Sequence, residues 1–325
     1  MKFILRRLAF YVLTFWIAVT LNFAVPRLLP GNPVDIILGK LQGDVSPGTY
    51  KALESALGFT NQNLIGQYFT YLWNLAHLNF GLSYSHFPAS VSTILAQDLP
   101  WTLFLFGLST IIAFTLGTTL GIVSAWRRGS FLDSTLPPIM LFLSSFPYFW
   151  VALLLLYFFG LRLGWFPTAH SYDGSSIHLS LWFVGNVLYH AFLPAFTIVV
   201  SALGGWLLGM RNVMLTTIAE DYVVMGQAKG LSDKRVMLMY AARNAILPSI
   251  TGFAMSLGFV LGGQVLVEYV FSYPGVGSDI VNAAGSEDFP LLQALLLFIV
   301  LAVLVANFIA DIVYVRLDPR VRAEG

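Results

Sequence analysis

Long apolar stretches separated by polar connections run through most of this chain. A helix needs about 20 mostly apolar residues to cross a bilayer. We predict such helices in six segments: 8–25, 101–125, 136–160, 192–210, 246–271 and 291–315. The shorter apolar stretch 179–189 either extends the fourth segment or lies flat at the membrane surface. The predicted fold class is therefore an all-α integral membrane protein with six transmembrane helices.

The distribution of positive charge predicts how these helices are oriented. Cytoplasmic connections of membrane proteins carry an excess of Lys and Arg. With the N-terminus in the cytoplasm, only Arg27, Lys40, Lys51 and Arg162 of the 17 Lys and Arg residues fall on the other side. A seventh helix would move the arginines of segment 316–325 outside. The charges therefore predict that both termini are cytoplasmic.

Composition supports the membrane class. The chain is 57% hydrophobic and only 10% charged, whereas soluble domains carry about 25% charged residues. The first apolar stretch is longer than that of a typical signal peptide and no cleavage pattern follows closely, so we expect it to be retained as a span. The net charge of +1 indicates no nucleic-acid partner.

The sequence offers little for enzymatic or metal chemistry. It has no cysteine, no G-x-S-x-G and no H-E-x-x-H, so an intramembrane enzyme is disfavoured and no metal site is predicted. A self-sufficient secondary transporter would show inverted repeats and charge at mid-membrane, and we find neither. The chain also lacks G-x-x-x-x-G-K-[ST], the phosphate-binding loop of many ATPases.

These patterns divide the chain into four parts. We predict a cytoplasmic N-terminus with the first helix at 1–30 and an extracytoplasmic segment at 31–100, with a possible helix near 50–57. The membrane core follows at 101–315 and includes a cytoplasmic elbow at 211–248. A cytoplasmic tail covers 316–325.

The elbow shows local signals for two short helices. Thr217 and Glu220 form a capping-box pattern, in which Thr217 would cap a first helix. Gly230 stands where a left-handed glycine would end that helix, and Ser232 can cap a second one. Such an elbow exposes apolar residues that it cannot bury alone. It either docks into a partner's groove or rests on lipid headgroups, and the paired caps favour docking.

Several motifs make the chain recognisable. They are E-D-Y-V at 220–223, A-K-G-L at 228–231, R-N-A-I-L-P at 243–248, V-E-Y-V-F-S-Y-P-G-V-G at 267–277 and L-D-P-R-V-R at 317–322. Two motifs near the beginning of the sequence, F-I-L-R-R-L at 3–8 and L-P-G-N-P at 29–33, belong to the same set. This pattern resembles the permeases of binding-protein-dependent ABC importers of the dipeptide and oligopeptide type, and in particular the first permease of the pair.

The resemblance implies a type I importer permease fold and a definite set of partners. A second homologous permease would complete the pathway, and two cytoplasmic ATPase subunits carrying ATP and Mg would dock on the elbows. An extracytoplasmic solute-binding protein would deliver substrate, and membrane lipid would surround the spans. This chain itself would bind no cofactor and would lie in the inner (cell) membrane of a prokaryote. The resemblance favours di- or oligopeptides as substrate, while related systems carry oligosaccharides, nickel or other small solutes.

The resemblance also implies where the ATPase docks. The docking residues would be Glu220, Asp221, Tyr222, Ala228, Lys229, Gly230, Leu231, Arg243 and Asn244. The chain departs from the family pattern at Gly226 and Gln227, where alanine and a basic or polar residue are more usual. It departs again near Tyr240, where histidine is frequent.

Polar and small residues inside the predicted helices are candidates for the pathway and for helix packing. The pathway or gate candidates are Glu268, Gln264, Ser256, Ser144 and Ser145. Each could instead satisfy neighbouring backbone, and for Glu268 we name the turn at 273–275 as the alternative partner.

Three further predictions concern helix geometry and pairing. Gly258 and Gly262 form a G-x-x-x-G pattern that favours close helix packing, within this subunit or against the second permease. Pro147 is predicted to kink the third helix. Asp311 is predicted to pair with an inner-face arginine such as Arg211 or Arg316.

Overall fold

The computed structural model describes residues 2–28, 63–174, 180–260 and 265–317, and most of these residues are helical. The predicted helix near 50–57 lies outside them. The long helices are α1 (Lys2–Leu28), α3 (Val91–Trp126), α6 (Leu181–Ile218) and α13 (Phe289–Leu317). The shorter ones are α2 (Leu64–Ala76), α4 (Phe131–Ser144), α5 (Tyr148–Leu155), α7 (Asp221–Ala228), α8 (Asp233–Arg235), α9 (Arg243–Ala245), α10 (Leu247–Gly258), α11 (Val265–Val270) and α12 (Val276–Gly285). Two π-helical segments, Leu156–Arg162 and Val236–Ala242, continue α5 and α8.

Four of these helices are long and apolar enough to cross a membrane, and a bent pair could supply a fifth span. The spans in α1, α3, α6 and α13 correspond to the predicted first, second, fourth and sixth segments. The stretch 179–189 is predicted either to extend the fourth span or to lie flat at the membrane surface. Helix α6 begins at Leu181 and continues without a break, so residues 181–189 extend the fourth span.

The third predicted span is sharply bent. Helix α4 and the α5 segment that runs on to Arg162 meet at 95° across a short break. Pro147 occupies the N-cap position of α5, where a missing N–H costs no helical hydrogen bond. The predicted kink at Pro147 is confirmed, and it is large enough to divide the segment into two helices.

The fifth predicted span is not one continuous helix in the described residues. Helix α10 ends at Gly258 and α11 begins at Val265. Gln264 and Gly262 lie between them, outside the described residues. A Cβ added to Gly258 would collide with the Cβ of Ala306 on α13. Gly258 therefore packs against a helix of the same chain.

Helices α3 and α6 form the centre of the molecule and approach each other closely. A Cβ built on Gly117 would lie 2.5 Å from the Cβ of Trp206, and one on Gly121 would lie 2.6 Å from the Leu207 carbonyl oxygen. Both distances are shorter than van der Waals contact, so glycine is required at these two crossings. The remaining elements pack around this helix pair.

The prediction that Asp311 pairs with an arginine of the predicted cytoplasmic set is confirmed, but the partner is Arg7 and not the named example Arg211. Asp311 on α13 accepts a 2.6 Å hydrogen bond from the Tyr11 hydroxyl and lies 3.4 Å from a guanidinium nitrogen of Arg7. Arg211 pairs with Asp133 instead. The reason is helix order, since α13 packs beside α1 whereas Arg211 on α6 faces α4. The Arg316 side chain lies outside the described residues.

Candidate docking elbow and outer clasp

The elbow is built from two short helical pieces joined by a tight left-handed turn. Helix α7 ends at Ala228, and Gly230 adopts φ +70°, a conformation that favours glycine. Ser232 has the extended backbone of an N-cap, and α8 starts at Asp233. The predicted left-handed Gly230 and the start of a second helix after Ser232 are confirmed.

The predicted capping box is wrong. Helix α6 continues to Ile218, so Thr217 lies inside it and its hydroxyl donates a 2.8 Å hydrogen bond to the Val213 carbonyl oxygen. Glu220 is itself the N-cap residue of α7, and its side chain makes no capping hydrogen bond. The same is true of the Ser232 side chain at α8. Helix α6 therefore continues past the position at which the first elbow helix was predicted to start.

The inner face of the elbow is firmly buried. Val223 of α7 and Val236 and Ala241 of the π-helical segment are fully buried. They pack in one cluster with Met210 and Met214 of α6, which are also fully buried. The end of α3 joins the same cluster. The elbow is therefore part of the core at this end of the molecule.

The outer face is apolar and exposed, which is unusual for a surface loop. We define the docking face as the exposed apolar side chains Tyr222, Val224, Met225, Leu238 and Met239. Their exposed fractions run from 39% to 57%. Of the residues identified from the resemblance, Tyr222 belongs to this face. Leu231 is half-buried, and the others are exposed: Glu220, Asp221, Ala228, Lys229, Gly230, Arg243 and Asn244.

Two of the three residues that depart from the family pattern, Gly226 and Tyr240, lie next to each other. A Cβ on Gly226 would lie 3.6 Å from the ring of Tyr240, which is ordinary van der Waals contact. Gly226 is buried beneath that ring. Tyr240 thus covers the side of α7 on which Gly226 has no side chain.

A buried ion pair that the sequence did not predict supports the elbow end. Asp133 at the start of α4 is 8% exposed and accepts a 2.7 Å hydrogen bond from Arg211 Nε. It also accepts hydrogen bonds from the Ser124 hydroxyl at 2.9 Å and the Gly129 N–H at 3.0 Å. This cluster joins α3, α4 and α6. The only sequence signal was an isolated acid close to the Arg127-Arg128 turn.

At the opposite end, Glu268 is enclosed in a cluster that we name the outer clasp. Its side chain is 0% exposed. Oε1 accepts a 2.7 Å hydrogen bond from the Thr102 hydroxyl, and Oε2 accepts hydrogen bonds from the N–H groups of Gly277 at 2.6 Å and Ser278 at 3.3 Å. Thr102 in turn accepts the Val276 N–H at 2.9 Å. One carboxyl group therefore connects α3, α11 and α12.

The glycines of the outer clasp allow the carboxyl group to approach the backbone. A Cβ on Gly277 would lie 2.7 Å from Glu268 Oε2, and one on Gly275 would overlap the same carboxyl group. The backbone alternative named for Glu268 is present, although the partners follow the 273–275 turn by two to three residues. The identity of Thr102 as a partner was not predictable from sequence.

The three serines among the pathway candidates use their hydroxyl groups locally. Ser144 donates to the Met140 carbonyl oxygen, and Ser145 donates to that of Leu141 at 2.9 Å. Both serines are exposed at the α4–α5 bend. Ser256 donates to the Phe253 carbonyl oxygen at 2.8 Å. Ser144 and Ser145 are thus exposed at the bend, whereas Glu268 is fully buried.

Two further carboxyl groups lie at the outer end and were not singled out from sequence. Asp288 is 0% exposed and accepts hydrogen bonds from the Ser83 hydroxyl, the Ser85 hydroxyl at 2.6 Å and the Ser85 N–H at 2.8 Å. Asp279 lies beside the carboxyl group of Asp98. Burial first, and then the adjacent Asp98, raise the pKa of Asp279 well above its usual value.

No group of three or more His, Asp or Glu side chains could hold a metal ion within the described ranges. The fold and these two clusters describe a helical membrane protein with an exposed apolar elbow at one end and a buried clasp at the other. The chain belongs to the family described as "binding-protein-dependent transport system inner membrane component", whose model matches residues 117–323. It is a multi-pass protein of the bacterial cell membrane.

Two curated relatives cover nearly the full chain. It is 33% identical to the di/tripeptide transport system permease protein DppB of Pseudomonas aeruginosa, over 99% of both chains. It is 31% identical to the oligopeptide transport system permease protein AppB of Bacillus subtilis, over 93% of both chains. The resemblance stated from the motifs is therefore confirmed at the level of the family.

Proposed function

We propose that this chain is the membrane-spanning permease subunit of an ATP-driven importer and forms half of a translocation pathway for di- or oligopeptides. The observation that carries the proposal is the elbow. It presents an exposed apolar docking face on one side and is part of the buried core on the other. A partner that moves the docking face would therefore move the core beneath it.

The route from the elbow into the membrane is short. Val223 and Val236 contact the cluster that contains Met210 and Met214 of α6. Helix α6 has 38 residues, which corresponds to about 57 Å at 1.5 Å per residue. A tilt imposed at the elbow would therefore reach the opposite membrane surface through one continuous helix. Binding of ATP by partner subunits would select between two such orientations.

The proposed topology has six spans with both termini in the cytoplasm. The broken helices α10 and α11 would together form the fifth span, and the bent pair α4–α5 the third. The distribution of Lys and Arg supports the orientation. The proposed organisation is 1–30 for the N-terminus and first helix, 31–100 outside, 101–315 for the core with the elbow at 211–248, and 316–325 for the tail.

The proposed partners follow from the family and the elbow. They are a second homologous permease, two ATPase subunits that carry ATP and Mg, and an extracytoplasmic solute-binding protein. The docking residues Glu220, Asp221, Tyr222, Ala228, Lys229, Gly230, Leu231, Arg243 and Asn244 would contact an ATPase. Glu268 would serve as a structural clasp that holds the outer ends of the helices together.

The substrate class is supported by the relatives. The names of the two relatives specify di/tripeptides and oligopeptides, and both align with this chain over more than nine-tenths of its length. We therefore propose peptides as the substrate and not oligosaccharides or nickel.

Docking can be tested by replacing the docking face. The double variant Tyr222→Ala/Met225→Ala removes two of its exposed side chains. Because the buried inner face is unchanged, we expect normal membrane insertion but reduced copurification of the ATPase subunits and loss of ATP-dependent peptide uptake in proteoliposomes. Trp182→Ala is the matched control, since Trp182 is 68% exposed at the far end of α6.

The substrate is tested in the same proteoliposomes. Uptake of a labelled tripeptide that requires ATP and the binding protein supports the proposal. ATP-driven uptake of only an oligosaccharide or only nickel would overturn the assignment of peptides as the substrate. It would leave the docking assignment intact. Unchanged copurification and uptake in the double variant would overturn the docking assignment.

A further inference from the structure

Helix α2 (Leu64–Ala76) exposes the wrong face for a helix that lies in water. A helix on a soluble surface turns its apolar stripe inward and its polar residues outward. In α2 the bulky residues Ile65, Phe69 and Trp73 are 64–68% exposed. They are spaced four residues apart and so form a single stripe along the helix. We define this stripe as the outer face of α2.

The opposite side of α2 carries polar groups that point into the protein. The Tyr68 hydroxyl hydrogen-bonds the Thr20 hydroxyl of α1 at 2.8 Å, and Asn22 of α1 donates to the Tyr71 hydroxyl at 3.3 Å. The ring of Phe23 packs edge-on against that of Tyr68, with centroids 5.1 Å apart. Helix α2 is therefore attached to α1 by specific contacts, and these contacts orient its outer face away from the protein.

The depth of α2 follows from where it meets α1. The apolar span of α1 covers Arg6–Ala24, which is about 28 Å long at 1.5 Å per residue and matches a hydrocarbon core of about 30 Å. Thr20 lies four residues before the end of this span, or about 6 Å inside it. The attachment point of α2 is therefore near the boundary between acyl chains and headgroups.

Charge points to the same location. No Lys, Arg, Asp or Glu occurs between Glu54 and Asp98, although the sequence pattern alone places this region in water. Trp73 packs against His77 with ring centroids 4.3 Å apart. Uncharged aromatic residues with a polar edge are typical of the membrane interface.

We propose that α2 is an interfacial helix whose outer face lies in the outer part of the bilayer. The occupant of this face is lipid, because the face is continuous with the apolar surface of α1. Trp16, Ile17 and Leu21 of α1 are 45–59% exposed, next to the residues that hold α2. The span of α1 is only 11% buried within the protein. Segment 31–100 is then partly held at the membrane and is not wholly in water.

The proposal can be tested by spin labelling, since the chain has no cysteine of its own. Ile65→Cys and Phe69→Cys place a nitroxide on the outer face. Asn79→Cys, an exposed position just beyond α2, is the control that we expect to lie in water, and Leu72→Cys is the half-buried control. The full chain is reconstituted in phosphatidylcholine vesicles, in an assembly whose other subunits lack cysteine. Relaxation by oxygen and by a water-soluble nickel complex is then compared.

At positions 65 and 69 we expect relaxation by oxygen to exceed relaxation by the nickel complex, with the reverse at position 79. Relaxation mainly by the nickel complex at 65 and 69 would place the face in water and overturn the proposal. Protection from both reagents at 65 and 69, to at least the level measured at the half-buried position 72, would mean that another protein covers the face and would also overturn the proposal. The test depends only on the membrane location and is independent of the substrate.

Discussion

Glu268 is a carboxyl group that is completely enclosed and still has partners for both oxygens. Buried polar groups are retained when their hydrogen bonds are made, and they are costly when a partner is missing. Here a side-chain hydroxyl and two backbone N–H groups supply the bonds. The glycines at 275 and 277 leave the space for them.

Replacing Glu268 with glutamine should destabilise the protein. The NH2 group of the glutamine side chain would face either the Thr102 hydroxyl or the N–H groups of Gly277 and Ser278. All three are donors to Glu268, so at least one buried donor would lose its acceptor. We expect a loss of about 2 kcal/mol in the free energy of unfolding, seen as a lower thermal midpoint in detergent micelles. Glu287→Gln is the control, because Glu287 is exposed nearby. Equal midpoints for both variants would contradict the clasp.

Gly230 offers a second test at the level of one residue. Its φ of +70° disfavours a β-branched side chain, while asparagine tolerates it. A Cβ at this position would meet no atom within 4 Å, so the effect comes from the backbone alone. We expect Gly230→Val to lower the uptake per ATP hydrolysed while membrane insertion is unchanged.

Gly230→Asn should retain most of the coupling ratio, because it allows the left-handed backbone. Loss of coupling in both variants would indicate that side-chain bulk, and not the turn, matters. Unchanged uptake per ATP hydrolysed in Gly230→Val would show that docking does not require the left-handed turn.

At the scale of the element, α13 begins in a network that attaches it to the segment before α3. Burial opposes ionisation of Asp288. Hydrogen bonds from the Ser83 and Ser85 side chains and from the backbone N–H groups of Ser85 and Tyr84 outweigh it and hold the pKa of Asp288 below its usual value. Asp288 also accepts the Leu291 N–H at 3.2 Å, which caps α13. The charged form of this group therefore stabilises the fold.

The stabilisation by Asp288 should depend on pH. Because the folded-state pKa is lowered, the contribution is present above the unfolded pKa of about 4 and is lost as the pH falls through the folded value. Asp288→Asn should therefore lower the thermal midpoint at pH 7 and have a smaller effect near pH 3. A difference between wild type and variant that does not change with pH would contradict this account.

A companion variant identifies the donors that Asp288 uses. Ser83→Ala/Ser85→Ala keeps the carboxylate but removes two hydroxyl donors, so it should reproduce part of the loss at pH 7. No loss in this variant would assign the stabilisation to the backbone N–H groups alone.

At the scale of the whole molecule, two ion pairs connect helices that are distant in sequence. Arg211 and Asp133 have side chains that are 21% and 7% exposed, whereas Arg7 and Asp311 are 46% and 25% exposed. Removing one partner of a buried pair leaves an uncompensated charge, whereas exposed pairs contribute little. The two pairs should therefore differ in their importance for stability.

We expect Asp133→Asn to cost about 3 kcal/mol and Arg7→Gln to cost at most about 1 kcal/mol. The double variant Asp133→Asn/Arg211→Gln should lose less than the sum of its single variants, because the two charges interact directly. The measurement is unfolding monitored by tryptophan fluorescence in detergent. Additive losses would contradict a direct interaction across the α4–α6 contact.

Much of the elbow could be predicted because its signals are local. The left-handed Gly230 and the helix that starts after Ser232 depend on residues within one turn of the chain. The capping box predicted at Thr217 does not form, because α6 continues to Ile218 and packs on the buried cluster around Met214. Local propensity is a weak term that tertiary packing overrides.

The amino-acid sequence by itself determined the class of protein: apolar stretches of spanning length, the charge distribution, the family motifs and the turn at Gly230 all depend on short-range patterns. Only the tertiary structure decided which groups meet. Asp133 and Arg211 are 78 residues apart, and Thr102 and Glu268 are 166 apart. The physical reason is that such pairs depend on which helices pack together, and neither composition nor spacing within one helix specifies that. The exposed face of α2 likewise became visible only when its tyrosines were found against α1.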